Sequence, residues 1–249
     1  MTEHEDFKVK DYVGDTRKSA FRKYRDIYYG DTSIWYVIQS ELMVTFVSGI
    51  GGALGLALRS LLYPRLFKQC GRNVVFGRHL TLRHARKITL GDNVVLDDHC
   101  VVDAKGENNE GVVLENDVYV GRNTIIYCKN GDIRIGRAVN ISSNCQIYSS
   151  NKLVIGAQTV IAAFVYIMSG GQYDYADRER TFAEQSGMIT RGPTEVGPNC
   201  WIGAGAVIVD AVTIGEHCVI GAGSVVTGNI PPDHVAVGIP ARVVKEIGA

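Results

Sequence analysis

Between Met168 and Glu195 the chain gathers side chains that could handle a proton or hold a polar ligand: Gln172, Tyr173, Asp174, Tyr175, Asp177, Glu184 and Gln185. The stretch opens with "SGGQYDY" and runs on through "TFAEQSG". A glutamine amide orients a hydroxyl by hydrogen bonding but cannot accept its proton at neutral pH. Asp174, Asp177 or Glu184 could take that proton only if burial raised its affinity for protons. Other chemistry is sparse. The six cysteines form neither a disulfide framework nor a C-x-x-C metal pair. His79 and His84 stand five apart, but no third histidine is spaced to complete a zinc site, and no metal is expected.

The elements that must carry this stretch follow from a repeat. Aliphatic residues recur every sixth position: Leu90, Leu96, Val102; Leu114, Val120, Ile126; Ile135, Ile141, Ile147; Ile155, Ile161, Ile167; and Val196, Ile202, Ile208, Ile214, Ile220, Val226. Four residues after each comes a small or β-branched one, such as Val94, Thr124, Val139, Thr159, Ala206 or Ser224. Cys100, Cys145, Cys200 and Cys218 fall in the same slot and are read as small core residues. Cys70 and Cys128 fall outside it. A period of six fits neither a helix nor a long strand, but it fits short strands separated by tight corners and stacked into coils. From Met168 to Glu195 the hexads stop, and an insertion that long in a solenoid is expected to be functional.

The N-terminal third, residues 1–70, does not repeat. "TRKSAFRKYRDIYYGD" reads as a short helix, and Leu42 to Leu58 is uncharged but rich in glycine. Two roles are open for it: a helical cap on the first coil, or peripheral membrane contact through 17–68. Arg17, Lys18, Arg22, Lys23 and Arg25 before the apolar run, and Arg59, Arg65 and Lys68 after it, suit a membrane surface. Lys+Arg and Asp+Glu are both 26, so no basic excess points to nucleic acid. The charged start of the chain has no secretory signal, and a cytoplasmic location is expected, at most peripheral at the inner face of the membrane.

With the repeat, the ending "TGNIPPDHVAVGIPARVVKEIG" and the loop in view, the chain resembles the hexapeptide-repeat acyltransferases over residues 71–249, closest to the branch that O-acetylates sugars and polysaccharide precursors. The resemblance implies a mainly β fold, a left-handed parallel β-helix of about six coils over 71–230. A helical cap would precede it, a loop would extrude near 168–195, and a turn and short helix would end the chain over 231–249. It implies acetyl-CoA as co-substrate, a homotrimer with sites between subunits, and a sugar, nucleotide-sugar or lipid-linked acceptor in surface polysaccharide or glycolipid synthesis. In that family a histidine follows the loop glycines as general base, and Gln172 occupies its place. The expected consequence is an impaired enzyme. Loss of the base, natural or introduced, ranks ahead of rescue by a loop carboxylate, Asp174, Asp177 or Glu184. Tyr173, Tyr175, Glu184 and Gln185 are the implied acceptor contacts. Trp201, Gly203, Ala204, Ala222, Thr227, Arg242 and Lys245 are the implied CoA contacts. Two other readings are carried: a non-catalytic CoA- or sugar-binding trimeric scaffold, and a metal hydratase of the γ-carbonic anhydrase type, which shares the fold.

Overall fold

Every sixth side chain points inward because the backbone turns a corner between successive short strands. The computed structural model describes residues 16–185 and 189–248. All the aliphatic residues of the repeat are buried there, none more than 1% exposed. The corner falls on the fourth residue of each hexad, which takes a left-handed conformation: φ is 58° at Asn93, 62° at His99, 61° at Asn144 and 56° at His217. Asparagine tolerates that region better than most residues, which explains its frequency there.

Three parallel sheets form the walls. The first face stacks seven strands from Gln69–Cys70 to Thr213–Ile214, and the third stacks seven from Thr81–Arg83 to Val225–Val226. The second face starts at Val75–Phe76 and holds nine strands. The solenoid therefore has about eight turns, where the hexads alone predict about six. The first extra turn places Cys70, Phe76 and Leu82 in the inward slots, so Cys70 does belong to the repeat. A cysteine and a phenylalanine there disguise the aliphatic pattern. The last turn uses Ile230, bridged to Ile214, and Ala236, beside Ile220.

Residues 231–249 were expected to hold a helix, and they do not. His234–Gly238 adds to the second face, and Ala241–Glu246 pairs with it in antiparallel fashion. The Val-rich "ARVVK" sequence suits a strand better than a helix, and the hairpin covers what would be an open edge.

Among the described residues three helices close the other end: α1 (Ala20–Tyr28), α2 (Ile34–Val47) and α3 (Gly52–Leu62). Ser19 and Ser33 cap the first two by accepting from Arg22 and Tyr36 N–H groups. The uncharged run is thus broken between α2 and α3, where Gly52 opens α3 at φ 65°. Buried Arg59 ties α3 to the first coil by donating from Nε to the Phe76 carbonyl at 2.8 Å, and Tyr63 and Phe67 pack on the Phe76 ring. Ile34, Trp35, Ile38, Leu42 and Phe46 leave one stripe of α2 exposed. No helix among the described residues is long and apolar enough to cross a membrane.

Threonine in the small slot stitches coils together. The Thr159 hydroxyl donates to the Gly197 carbonyl at 2.9 Å and accepts from the Cys200 N–H at 3.2 Å, and Thr124 repeats the arrangement with Ser142 and Cys145. Thr159→Val keeps the shape but strands buried groups on the next coil. Denaturant unfolding is expected to show a loss of about 1–3 kcal/mol, and an unchanged midpoint would refute this role for the hydroxyl.

Candidate active site

The coils are irregular at one edge. The chain inserts residues between Leu82 and Leu90, Val102 and Leu114, Ile126 and Ile135, Ile147 and Ile155, and Ile167 and Val196, always passing from the third face to the first. That edge also collects buried polar side chains: His84, Asp103, Ser149, Ser150, Ser169, Thr194 and Asp210. Its largest insertion is the loop expected from the sequence. The strand Tyr166–Ser169 runs one residue pair further than the hexads predict, and pairing resumes at Thr194–Val196.

Gly170 and Gly171, at φ 93° and 100°, turn the chain outward. Gln172 then bridges Ile189 across the loop's two stems. Buried Asp210, from the next coil, pins both stems. Its carboxylate accepts from the Gly170 N–H, the Thr190 hydroxyl (3.2 Å) and the Arg191 N–H (2.8 Å). With its amide oxygen turned toward Arg191, Gln172 accepts from the guanidinium Nε and a terminal nitrogen, each at 3.2 Å.

The other loop residues divide into struts and exposed groups. Gln185, 9% exposed, accepts from the Asp174 N–H at 2.9 Å and donates to the Asp174 carbonyl at 2.7 Å, which locks the loop's turn. The Asp174 carboxylate accepts from the Ala176 N–H. Glu184 accepts from the Thr181 N–H and hydroxyl. The hydrogen bond from Arg180 holds the Asp177 carboxyl below the usual carboxylate range. Tyr173 packs its ring on Phe182 at 5.8 Å, and Tyr175 stands in solvent.

The implied CoA contacts lie elsewhere. Trp201, 58% exposed, projects from the second face between Val160 and Val219. Gly203, Ala204 and Ala222 form the corner from the second face to the third, with the Gly223 N–H donating to the Ala204 carbonyl. A Cβ at Gly203 would sit 2.5 Å from the Ala222 nitrogen, so the coils touch there. Phe164, one coil earlier at this corner, is exposed at φ 62°. Thr227 follows the last strand of the third face, and Arg242 and Lys245 lie exposed on the terminal strand. The loop and this corner therefore occupy two different edges, with the third face between them. Outward on that face stand Tyr127 and Tyr148, their rings 4.7 Å apart, with Tyr166 beside them. Burial, then its hydrogen bond with Tyr166, raises the Tyr127 hydroxyl above the ordinary phenol range.

Sequence reasoning missed Asp210, Arg191 and these tyrosines. An aspartate at a corner and a tyrosine on a wall are too ordinary in a solenoid to stand out. His79 stacks on His99 at one edge, 5.1 Å apart, while His84 sits at another. Among the described residues no three His, Cys, Asp or Glu side chains form a metal cluster.

Comparison with known proteins fits this geometry. Residues 193–228 match the family described as Bacterial transferase hexapeptide (six repeats). Galactoside O-acetyltransferase of Escherichia coli strain K12 is 34% identical over 146 residues, 57% of this chain and 70% of that one. The chain belongs to the hexapeptide-repeat acyltransferase family. The dTDP-4-amino-4,6-dideoxy-D-glucose acyltransferase of Escherichia coli is 30% identical over 180 residues, 72% of this chain and 82% of that protein. AntD, an N-acyltransferase from Bacillus cereus solved with dTDP and coenzyme A, shares the fold at 20% identity and a TM-score of 0.53, covering 82% of this chain and 92% of that one. This acyltransferase thus has the family's solenoid, and after the glycines of its long loop it presents the Gln172 amide facing Arg191.

Proposed function

We propose that this acyltransferase moves an acetyl group from acetyl-CoA to a sugar hydroxyl in surface polysaccharide or glycolipid assembly, and that it does so slowly. The acceptor oxygen attacks the thioester carbonyl carbon, the tetrahedral intermediate collapses with cleavage of the C–S bond, and CoA leaves as the thiolate that takes up the proton. The observation that carries the reading is the Gly203–Ala204–Ala222 corner beside exposed Trp201. None of the three bears a side chain larger than a methyl, which would let the pantetheine arm approach the backbone closely, with Arg242 and Lys245 on the terminal strand of the second face for phosphates. Membership of the family supports a left-handed winding of the solenoid.

The separation of loop and small-residue corner onto two edges supports a homotrimer, in which the loop of one protomer meets the corner of the next. The exposed stripe of α2, with the basic residues of α1, supports peripheral contact with a membrane surface. Trp201→Ala is expected to weaken CoA binding about 10- to 100-fold, from the loss of about 1.5–3 kcal/mol of apolar contact. Isothermal titration checks it, and unchanged affinity would move the CoA site elsewhere.

A second reading is favoured by Gln172 itself. An amine attacks as the free base and sheds its proton afterwards, so it depends less on a general base than a hydroxyl does. The amino-sugar acyltransferase among the relatives makes this concrete. CoA release measured with matched hydroxyl and amino sugars decides between them: turnover on hydroxyl sugars alone rejects the amine reading. Binding of CoA with no turnover on either would favour the non-catalytic scaffold.

A further inference from the structure

Six buried polar side-chain atoms among the described residues have no hydrogen-bond partner. Three of them, Arg25 Nε, Thr32 Oγ1 and His84 Nδ1, belong to residues lining one cleft of about 450 Å³. A fourth, Arg83 Nε, is adjacent in the chain. The cleft lies where the turn after α1 faces the first two insertions of the irregular edge. It shares that edge with the loop but sits four coils away: Arg83, Asp103, Tyr127, Tyr148 and Met168 follow one another in register, roughly 19 Å at the spacing of neighbouring strands.

His84 is set up to meet a ligand. Its backbone N–H donates to the Tyr28 carbonyl at 2.9 Å, and its ring Nδ1 faces the buried Asp103 carboxylate at 3.7 Å. The ring, 5% exposed, packs beside Gly30, where a Cβ would sit 2.8 Å from Cδ2 and 3.2 Å from Nε2. Glycine at that position, at φ 69°, leaves room for the ring at the wall of the cleft.

The charges around the cleft select the ligand. Three cations are matched by three carboxylates, Asp26, Asp31 and Glu107. A phosphate would meet those carboxylates, whereas a polyhydroxylated molecule donates to them and accepts from the arginine and threonine. Orphaned buried donors mark a missing polar partner. We propose that this cleft binds a neutral saccharide unit, with Arg25 Nε and the Thr32 hydroxyl donating to its oxygens and His84 Nε2 accepting from one of its hydroxyls. This rests on the sugar-acceptor reading and deepens it: the acceptor is an oligosaccharide held at a second point away from the loop.

Saturation-transfer NMR and isothermal titration of the full chain test it, with neutral gluco-, galacto- and N-acetylglucosamine trisaccharides as probes, inorganic phosphate as competitor and CoA titrated separately. At least one trisaccharide is expected to bind, and Thr32→Val and His84→Gln are each expected to weaken it at least fivefold, with CoA affinity and melting temperature unchanged. Should His84→Gln not fold, Thr32→Val on the partly exposed turn carries the test. Absence of binding by every trisaccharide, affinity untouched by Thr32→Val, or displacement by phosphate overturns the proposal. Failure of the parent chain to bind CoA would instead strike the acetyltransfer reading, and the saccharide result would be judged on its own.

Discussion

Turnover by Gln172→His is expected to exceed that of the parent chain on a sugar hydroxyl. A positioned general base contributes about 10²–10⁴ in rate. The structure narrows this range. Arg191 already holds the Gln172 amide, and an imidazole placed there would face the same guanidinium. A nearby cation favours the neutral ring, which suits a base at rest, but it opposes the charged ring formed on proton uptake. The single variant should therefore gain about 10², and Gln172→His combined with Arg191→Gln should approach the upper end of the range. The check is CoA release at saturating acetyl-CoA across pH 5–8. The imidazole enzyme should lose activity as the pH falls through its pKa, because the protonated ring cannot accept a proton. Turnover equal to the parent's in both variants would remove position 172 from the chemistry.

Asp210→Ala carries the second large effect. The native carboxylate accepts from both stems of the loop, and its replacement leaves the Gly170 and Arg191 N–H groups and the Thr190 hydroxyl without that acceptor. A buried donor left unsatisfied costs about 1–3 kcal/mol. The loop can open to water more cheaply than the solenoid can unfold, so the loss should appear locally. Trypsin cleavage at Arg178, Arg180 or Arg191 is expected to speed up at least tenfold, a change of about 1.4 kcal/mol in the opening equilibrium, while the solenoid's melting temperature moves little. Asp210→Asn should fall between the two, because its amide nitrogen would face one of the same donors. Cleavage at the parent rate in Asp210→Ala would mean that the loop is held by something else.

Both predictions involve partners that are far apart in sequence. Asp210 lies about 40 residues beyond the glycine it holds, with no periodic signal linking them. Tyr127, Tyr148 and Tyr166 likewise become neighbours only when the coils stack. The clamp of Gln185 on Asp174 is of the same kind. A glutamine near the end of the loop reads equally well as a ligand contact until its two bonds to the backbone are seen. The expected terminal helix failed for a related reason: the valines of "ARVVK" favour a strand, and the strand His234–Gly238 beside it supplied the pairing edge.

The sequence alone determined the solenoid, most of its inward residues and the place of the long loop. Each of these is a local consequence of a six-residue period in side-chain size, which any coil can satisfy against its nearest neighbours. The number of turns was only partly legible, because Cys70, Phe76, Ile230 and Ala236 fill inward slots without the aliphatic signature. Tertiary structure alone decided that every insertion leaves from one edge, that the loop and the small-residue corner lie on different edges, and that Arg25, Thr32 and His84 share a cleft. Those facts depend on how the coils stack and where the N-terminal helices settle against them, which the spacing of residues along one chain does not encode.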